Sequence, residues 1–406
     1  MTNKMIWLWL SLLFGAGNKI YKKLYDHFGS VQDIYDCDDA DVELIPWLKD
    51  HERTKILDKG TRAAELVAQW CEKYDVDILT PDDDKYPLPL RALEDFPAAL
   101  YCIGTLPDFQ KKLCISVVGS RDLSANGRDN AYNLGYGLTK GGALVVSGMA
   151  KGIDCTAQKG ALYAGGSTIA VLGCGINYIY PKENRELYEK ILNVGAVLTE
   201  YAPNTPPNAP NFPIRNRIIS GLSSATVVVE AGMNSGSLIT ARYARQQNKE
   251  VFAYPGKVGD HRSDGNNGLL RNGALAATSA TDVLEYFLDV YTESIDISAS
   301  KKLPDRNGVK NLIPYKFKDG FLYERTKRVE YKEPILPPKE IKPKVNVSVL
   351  SDNEKLIYDS MLPCVPVSAN DLAHLGISSV ELNSMLTVME LKGVVSSAPG
   401  GYYLKK

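Results

Sequence analysis

The residues best suited to chemistry in this sequence lie in four short segments rich in glycine and hydroxyl side chains. These segments are Gly119-Ser-Arg-Asp-Leu-Ser124, Ser147-Gly-Met-Ala-Lys-Gly-Ile-Asp154, Leu172-Gly-Cys-Gly175 and Glu230-Ala-Gly-Met-Asn-Ser-Gly-Ser237. Small residues let backbone N–H groups approach an anion, particularly at a helix N-terminus. Arg121 adds a planar guanidinium whose fixed fork of donors suits a phosphate. The four segments therefore predict a phosphate-binding site.

Two familiar nucleotide motifs are absent from the sequence. No GxGxxG follows the first predicted strand with an acidic residue about 20 positions later, so NAD binding is unsupported. No GxxxxGK[ST] occurs either, which leaves a P-loop nucleotidase unsupported. Phosphate binding without a nucleotide fingerprint favours a polymer backbone or an unusual nucleotide as the ligand.

The elements that must position these segments are short apolar runs separated by helix-patterned intervals. The predicted strands are Cys114–Val118, Ala143–Gly148, Ser167–Gly173, Gly195–Glu200, Ala225–Glu230 and Glu250–Pro255. Continuous β-branched runs are typical of strands buried on both faces, and alternation with helices indicates βαβ units. We therefore predict an α/β fold over residues 114–287, with a Rossmann-like, doubly wound, mostly parallel sheet. In such a sheet, ligands bind beyond the carboxyl ends of the strands, where the glycine-rich segments lie.

A proline-rich stretch, residues 203–213, is predicted to be a rigid, polyproline-like approach to the segment Ile214–Leu222. Arg215 and Arg217 flank Asn216 in that segment and are hard to explain as core residues. Their proximity to the predicted strand ends favours a role at the site, while surface salt bridging is the alternative.

Four other regions surround the predicted sheet. Residues 1–75 are predicted to be helical, and their short helix–turn–helix units could hold a DNA phosphate or serve only for packing. Residues 76–113 are predicted to be an irregular connector packed at the sheet edge. Residues 288–348 are predicted to form a Lys/Pro-rich linker, and residues 349–406 are predicted to form three helices and a hairpin, a winged helix. Because the third helix of this winged helix is not basic, duplex DNA and a protein both remain possible partners.

Composition narrows the class of protein. The formal net charge is −1, so any basic surface must be local. The seven cysteines are scattered without a CxxC pair, which favours reduced thiols and argues against zinc. The apolar run Met5–Phe14 could belong to a signal peptide, but it continues directly into another amphipathic helix. We expect a soluble, cytoplasmic protein without a membrane span, and we interpret His261 as a lone exposed histidine.

Six motifs in order resemble the DprA/Smf (DNA-processing protein A) family, over roughly residues 5–287 and 349–406. They are Val117-Val-Gly-Ser-Arg121, the segment 147–154, Tyr180-Pro-Lys-Glu-Asn184, the segment 212–223, the segment 230–240 and Gly265-Asn-Asn-Gly-Leu-Leu-Arg-Asn-Gly-Ala274. The resemblance implies a single-stranded DNA-binding protein that is not an enzyme. It also implies a homodimer formed through the Rossmann-like domain, which loads the RecA recombinase onto incoming strands during natural transformation. We expect no cofactor and no metal.

The resemblance also implies which residues contact DNA. Gly119, Ser120 and Arg121 would form the phosphate pocket, with a stacking aromatic nearby. The remaining predicted contacts are Ser147, Gly148, Lys151, Gly152, Lys182, Phe212, Arg215, Asn216, Arg217, Ser235, Gly236 and Ser237. One departure concerns the residues before Phe212, where family members often have a basic residue and this chain has Asn208-Ala-Pro-Asn211.

Two other classes of function remain open. Glu230 and the Ser235-Gly-Ser237 loop are similar to nucleotide-processing enzymes of the lysine-decarboxylase-like group. Those enzymes carry a Pro-Gly-Gly-x-Gly-Thr loop, whereas this chain has Ala231-Gly-Met-Asn-Ser-Gly236. A scaffold that recruits partners without binding DNA is the third hypothesis.

Overall fold

A computed structural model describes residues 1–291, 294–302, 304, 350–361, 367–369, 372, 375–398 and 402–405. The chain divides into two compact units, residues 1–332 and 333–406.

The first unit is built on one mixed sheet of nine strands within the described residues, in the order β1-β2-β6-β5-β4-β3-β7-β8-β9. The strands are β1 Asp77–Leu79, β2 Leu100–Gly104, β3 Cys114–Val118, β4 Leu144–Ser147, β5 Thr168–Val171, β6 Ala196–Thr199, β7 Ala225–Val228, β8 Glu250–Ala253 and β9 Leu275–Ala276. Strands β3 to β9 pair in parallel, and β1 and β2 extend the sheet antiparallel beyond β6. The strand order reverses between β3 and β7, which pair from Ile115↔Ala225 to Val118↔Val228.

This topology confirms the predicted α/β fold with a doubly wound, mostly parallel sheet. All six predicted strands are present, each buried along most of its length. Alternate residues of β3 join different hydrophobic cores. Cys114 and Val118 lie in one core, and Ile115 and Val117 lie in the other. Both faces of the sheet are therefore covered, which explains the unbroken apolar runs in the sequence.

Helices pack on both faces of the sheet. Their bounds are α1 Asn3–Phe14, α2 Ile20–Phe28, α3 Val31–Asp36, α4 Asp39–Glu43, α5 Asp50–Leu57, α6 Arg62–Lys73, α7 Leu88–Arg91, α8 Ala125–Lys140, α9 Ile153–Tyr163, α10 Arg185–Val194, α11 Asn211–Gly221, α12 Ser237–Gln246, α13 Asp264–Arg271, α14 Ala280–Tyr286 and α15 Ile297–Ser300, with a 3-10 turn at Lys182–Asn184. Buried residues of α8, α9 and α14 share the core of Ile115, whereas those of α10, α11 and α12 share the core of Cys114.

The first 75 residues contain helices α1 to α6. Ser30 is the N-cap of α3, and its side chain accepts a hydrogen bond from the Asp33 N–H. Trp7, Leu10 and Leu24 of these helices belong to the same hydrophobic core as one face of the sheet. The N-terminal helices thus pack as part of the first unit. No helix in the part of the chain that the structure describes is long and apolar enough to cross a membrane.

Two segments beside the core are more regular than the sequence suggested. Part of the connector 76–113 forms β1 and β2, and β2 is buried against β6. Strand β1 is short and lies at the edge of the sheet, and the inner strand β2 pairs with a strand distant in sequence, so neither gives the pattern of a parallel βαβ strand. Beyond residue 287, α15 packs against α8, and Ser300 is buried there.

The second unit contains α16, Asp352–Ser360, and α17, Ser379–Leu391, followed by an antiparallel hairpin of β10, Val395–Ala398, and β11, Tyr402–Lys405. Ile357, Leu382, Leu386 and Met389 form its core. The second of the three predicted helices is expected to begin over residues 368–374, most of which lie outside the described residues. The winged helix therefore stays a prediction.

Candidate functional site

A wide cleft of about 940 Å³ opens at the carboxyl ends of β3 and β7, where the strand order reverses. This is the position at which doubly wound sheets bind their ligands. Nine of the predicted site residues line it: Gly119, Ser120, Arg121, Phe212, Arg215, Asn216, Ser235, Gly236 and Ser237.

The loop after β3 is held in place by its backbone. The Ser120 N–H donates to the Glu230 carbonyl at 2.6 Å, and the Ser120 carbonyl accepts from the Ile153 N–H at 3.1 Å. A Cβ on Gly119 would lie 2.8 Å from the Glu230 carbonyl oxygen. The loop therefore requires glycine at this position. Arg121, the next charged residue, is exposed to solvent.

The loop after β4 supports the loop after β3. Gly152 has a φ of +96°, and a Cβ there would lie 2.2 Å from the Ser120 carbonyl oxygen. Only glycine combines this backbone conformation with such a close approach. Lys151, which precedes it, is exposed and flanks the loop of Arg121. Ser147 is buried at the end of β4 and donates to the Val117 carbonyl at 2.6 Å, so its hydroxyl is used inside the sheet.

Helix α11 presents one face to the cleft. Phe212, Arg215 and Asn216 are spaced i, i+3 and i+4, which places them on the same side of a helix. The guanidinium carbons of Arg121 and Arg215 lie 5.5 and 5.7 Å from the centre of the Phe212 ring. The exposed ring of Tyr180 lies 5.3 Å from the Phe212 ring, centre to centre. An aromatic surface therefore lies next to a solvent-exposed arginine.

Arg215 forms the floor of the cleft rather than a free cation. Its guanidinium donates to the Gly148 carbonyl at 3.0 Å and also to the Val171 carbonyl, and the residue is only 4% exposed. A Cβ on Gly148 would lie 2.7 Å from this guanidinium, so Gly148 makes room for it. Burial lowers the pKa of Arg215, and the nearby Asp154 carboxylate opposes that shift. Burial likewise raises the pKa of Asp154, against the opposing charge of Arg215.

The N-terminus of α12 forms another wall of the cleft. The Ser235 and Ser237 hydroxyl oxygens lie 2.8 Å apart, and Ser237 is the first residue of this ten-residue helix. The Asn216 side-chain amide donates to the Gly236 carbonyl at 3.3 Å, which joins α11 to this turn. No acidic residue occupies the first turn of α12. The partial positive charge of the helix N-terminus therefore faces the cleft beside two hydroxyl groups.

Arg217 lies away from the cleft. Its guanidinium donates to both carboxylate oxygens of Glu200, each at 2.6 Å, and its Nε lies 3.6 Å from an Asp95 carboxylate oxygen. Only 1% of the Arg217 side chain is exposed. Lys182 is exposed at the start of the 3-10 turn and does not line the cleft. We therefore leave Arg217 out of the set of residues proposed to contact a ligand.

Glu230, the candidate catalytic residue of the enzyme hypothesis, caps a helix. Its carboxylate accepts from the Ser124 N–H at 2.8 Å and from the Ser124 hydroxyl, at the N-cap of α8. A Cβ on Gly127 would lie 2.5 Å from the same carboxylate, and Glu230 is 7% exposed. Helix N-termini favour such a negative charge. This side chain does not line the cleft.

Several cleft residues were not selected from the sequence. Tyr180 and Asp154 both lie within motifs that carry the family resemblance, but nothing in their type or spacing marked them as part of a site. His261 and Arg262 also line the cleft, on the loop before α13. The His261 Nδ1 lies 3.0 Å from an Asp264 carboxylate oxygen, and its side chain is almost fully exposed. No sequence pattern places this loop at the cleft, because β8 and the turn after it must first be arranged in the sheet.

The cleft combines groups that bind phosphate with groups that stack on bases. Arg121, the α12 N-terminus and the Ser235 and Ser237 hydroxyls suit a phosphate. Phe212 and Tyr180 offer aromatic surface at the same opening, on which a base can stack. Within the described residues, no cluster of three or more side chains suitable for a metal ion occurs.

Known proteins are similar to this chain in both sequence and structure. The sequence model of the family described as DNA recombination-mediator protein A matches residues 77–288. The chain is 30% identical over 413 residues to Protein Smf of Synechocystis sp., across 98% of each protein. The X-ray structure of DNA processing protein A from Streptococcus pneumoniae matches with a TM-score of 0.61 and 34% identity, over 70% of this chain and 98% of that one. A structure of DNA processing protein A from Helicobacter pylori, which describes a single-stranded DNA binding mode, has a TM-score of 0.48 and 29% identity, over 54% of this chain and 97% of that one.

These similarities confirm the resemblance carried by the six sequence motifs. The family model spans the sheet and every loop that lines the cleft. The Synechocystis relative extends the similarity to nearly the whole chain. The chain belongs to the DNA recombination-mediator protein A family, the DprA/Smf proteins.

Proposed function

We propose that this chain is a recombination mediator that binds single-stranded DNA in the cleft at the ends of β3 and β7. The proposal rests on one observation. Arg121, the α12 N-terminus and the Phe212–Tyr180 pair all line the same cleft. Phosphates lie against Arg121 and the first turn of α12. Bases stack on the aromatic rings.

A single strand fits this site better than a duplex does. Stacking on Phe212 or Tyr180 requires an unpaired base with a free face, and every base has such a face. The polar groups of the cleft suit phosphate oxygens, which carry no sequence information. Binding is therefore expected to be nearly independent of sequence and to weaken as salt rises.

The second part of the proposal concerns the partners and the cellular location of the chain. The chain protects incoming single strands and loads RecA onto them during natural transformation, and it acts as a homodimer formed through its Rossmann-like domain. A cytoplasmic location, where RecA works on DNA, belongs to the same proposal. Family membership supports these statements, and the cleft supports the DNA-binding step on which they depend.

The proposal is tested by fluorescence anisotropy of labelled oligo-dT and of a duplex of equal length. We expect the wild-type chain to prefer the single strand and Arg121→Ala to lose most of that binding. Arg62→Ala is the matched control, because Arg62 is an exposed arginine of the N-terminal helices whose side chain pairs with Glu65. Equal binding by wild type and Arg121→Ala would place the DNA elsewhere. No binding by the wild type would favour a scaffold.

We also propose that the chain is not an enzyme. The carboxylate that a nucleotide hydrolase of this fold would need is committed to Ser124 at the start of α8. Incubation with nucleoside monophosphates should release no free base above the uncatalysed rate. Release that disappears in Glu230→Gln would contradict this and restore the enzyme hypothesis.

A further inference from the structure

A buried ion pair on the far face of α11 joins three separate parts of the chain. Arg217 projects from α11, Glu200 follows β6, and Asp95 lies in the segment between β1 and β2. Both Arg217 and Glu200 have side chains that are at most 3% exposed. Two residues along a helix are about 200° apart, so Arg217 points away from the face that carries Arg215.

The N-terminal helices reach this ion pair through a glycine turn. The Gly17 N–H, between α1 and α2, donates to the Glu200 carboxylate at 3.2 Å. Gly17 has a φ of +73°, and a Cβ there would lie 2.6 Å from Ile214 and 3.5 Å from the Arg217 Nε. The turn therefore packs directly on α11 and on the ion pair.

Turns of this kind between two helices can offer their backbone N–H groups to a DNA phosphate. Here the anion is supplied by the chain itself, since the Glu200 carboxylate occupies the Gly17 N–H inside the protein. Other polar groups of the turn are also bonded internally, because the Asn18 amide donates to the Phe14 carbonyl and the Tyr21 hydroxyl donates to the Gly15 carbonyl. A phosphate could reach the Gly17 N–H only by displacing a buried, paired carboxylate.

We infer that the Glu200–Arg217 pair, seated on the Gly17 turn, is a positioning device that holds α11 so that Phe212 and Arg215 face the cleft. Helices α1 and α2, with the Gly17 turn between them, then anchor the DNA site and are not a second DNA contact. Removing one partner of a buried ion pair leaves an uncompensated charge, so the helix must shift to admit water or lose its packing. This inference rests on the proposed binding of single-stranded DNA.

The first test neutralises the carboxylate with Glu200→Gln. If Glu200 acted on DNA only through its charge, loss of a negative charge would tighten binding. If the pair positions α11, affinity for oligo-dT should instead fall by about three- to thirtyfold. The salt dependence of binding should stay the same, since no phosphate contact is lost. Hydrogen exchange of the α11 backbone amides should become faster in the same variant.

The second test compares two glycines of one turn. Gly17→Ala should weaken oligo-dT binding and speed exchange in α11, because its Cβ collides with Ile214. Gly15→Ala is the matched control, since Gly15 has the same φ of +73° but no atom within 4 Å of an added Cβ. Both substitutions place a side chain at a positive φ, so a loss caused by backbone strain in the turn would appear in Gly15→Ala as well. Thermal unfolding of each variant identifies a temperature at which all chains are folded, and binding and hydrogen exchange are measured at that temperature.

Three outcomes would overturn the inference. They are unchanged or tighter binding in Glu200→Gln, equal effects of the two alanine substitutions, and weaker binding without faster exchange in α11. Should Glu200→Gln fail to fold, Arg217→Lys replaces it, because it keeps the charge but loses the two-pronged contact. Should the wild-type chain not bind oligo-dT at all, the proposed function fails. The exchange of α11 in these variants then still decides whether the pair positions the helix.

Discussion

Phe212 is the residue on which the cations and the aromatic surface of the cleft converge. Arg121 and Arg215 lie over its ring, and Tyr180 lies beside it. Phe212→Leu keeps an apolar side chain but removes the stacking surface, so affinity for oligo-dT should fall by about 1–3 kcal/mol. Phe109→Leu is the control, because Phe109 is a half-buried ring that packs on the core after β2. Equal losses in the two variants would show that Phe212 acts through packing and not through a base.

Asp154 gives the cleft a predicted response to pH. Its carboxylate lines the cleft floor, and burial raises its pKa above the ordinary value despite the charge of Arg215. The ionised form repels a phosphate. As pH falls from neutral, Asp154 therefore takes up a proton at milder acidity than an exposed aspartate does, and DNA binding should tighten severalfold.

Binding of oligo-dT between neutral pH and the mildly acidic range checks this response. Asp154→Asn should bind more tightly at neutral pH and lose much of the pH dependence, while its side-chain oxygen can still accept from the Gly148 N–H. His261→Gln changes another side chain that lines the cleft and serves as the comparison. A pH response that survives unchanged in Asp154→Asn would show that another group of the cleft sets it.

At the scale of elements, helix α11 shows what the sequence could and could not predict about the site. Arg215 and Arg217 both flank Asn216 and neither residue type suits a core, so the sequence predicts the same role for both. Once the segment is a helix, two residues at i and i+2 cannot share a face, so one arginine lines the cleft and the other is buried against Glu200. The proline-rich residues before Phe212 hide the start of this helix in the sequence, because prolines predict an extended segment. Helix α11 nevertheless begins at Asn211 and includes Pro213. Proline is tolerated in the first turn of a helix.

The strands of the sheet were more predictable than its edges. Strands buried on both faces give continuous apolar runs, so β3 to β8 were evident from residue type alone. Strands β1 and β9, of three and two residues, are too short to form a pattern. Strand β2 pairs antiparallel with β6, a partner almost a hundred residues away, and no local signal encodes that choice.

The contact between the loops after β3 and β4 can be tested through Gly152. Gly152→Ala should disturb the Ser120–Arg121 loop, because its Cβ would lie 2.2 Å from the Ser120 carbonyl oxygen. We expect a lower melting temperature, from about 1–3 kcal/mol of overpacking, together with weaker oligo-dT binding. Gly165→Ala is the matched control, since Gly165 has a φ of +82° after α9 and nothing within 4 Å of an added Cβ. Gly165→Ala should lower the free energy of unfolding by only about 1–2 kcal/mol, through left-handed backbone strain, and should leave DNA binding intact. Weaker binding in both variants would remove the case for a specific loop contact.

At the scale of the whole molecule, charge is distributed so that attraction to DNA must be local. The formal net charge is −1, so the chain as a whole exerts no long-range pull on a polyanion. In the second unit, Lys392 at the end of α17 is paired with Glu354 at 2.6 Å, and that helix also carries Glu381 and Glu390. These features explain why composition alone gave no indication of a nucleic-acid ligand. The cleft became recognisable only through its motifs and the topology that brings them together.

Local attraction makes the salt dependence of binding a test of the entire proposal. Each phosphate neutralised by a cation contributes about −0.7 to the slope of log K against log salt concentration for a single strand. Because few cations lie around the cleft, the wild-type slope should be shallow. Arg121→Ala should make the slope less negative by about 0.7 if this side chain holds one phosphate. Arg62→Ala should leave the slope unchanged, because its exposed side chain lies on the N-terminal helices and is already paired with Glu65. Titrations of labelled oligo-dT at several salt concentrations provide the slopes. A steep slope that Arg121→Ala does not alter would mean that the strand lies on a basic surface outside the cleft, and the site would then have to be sought beyond β3 and β7.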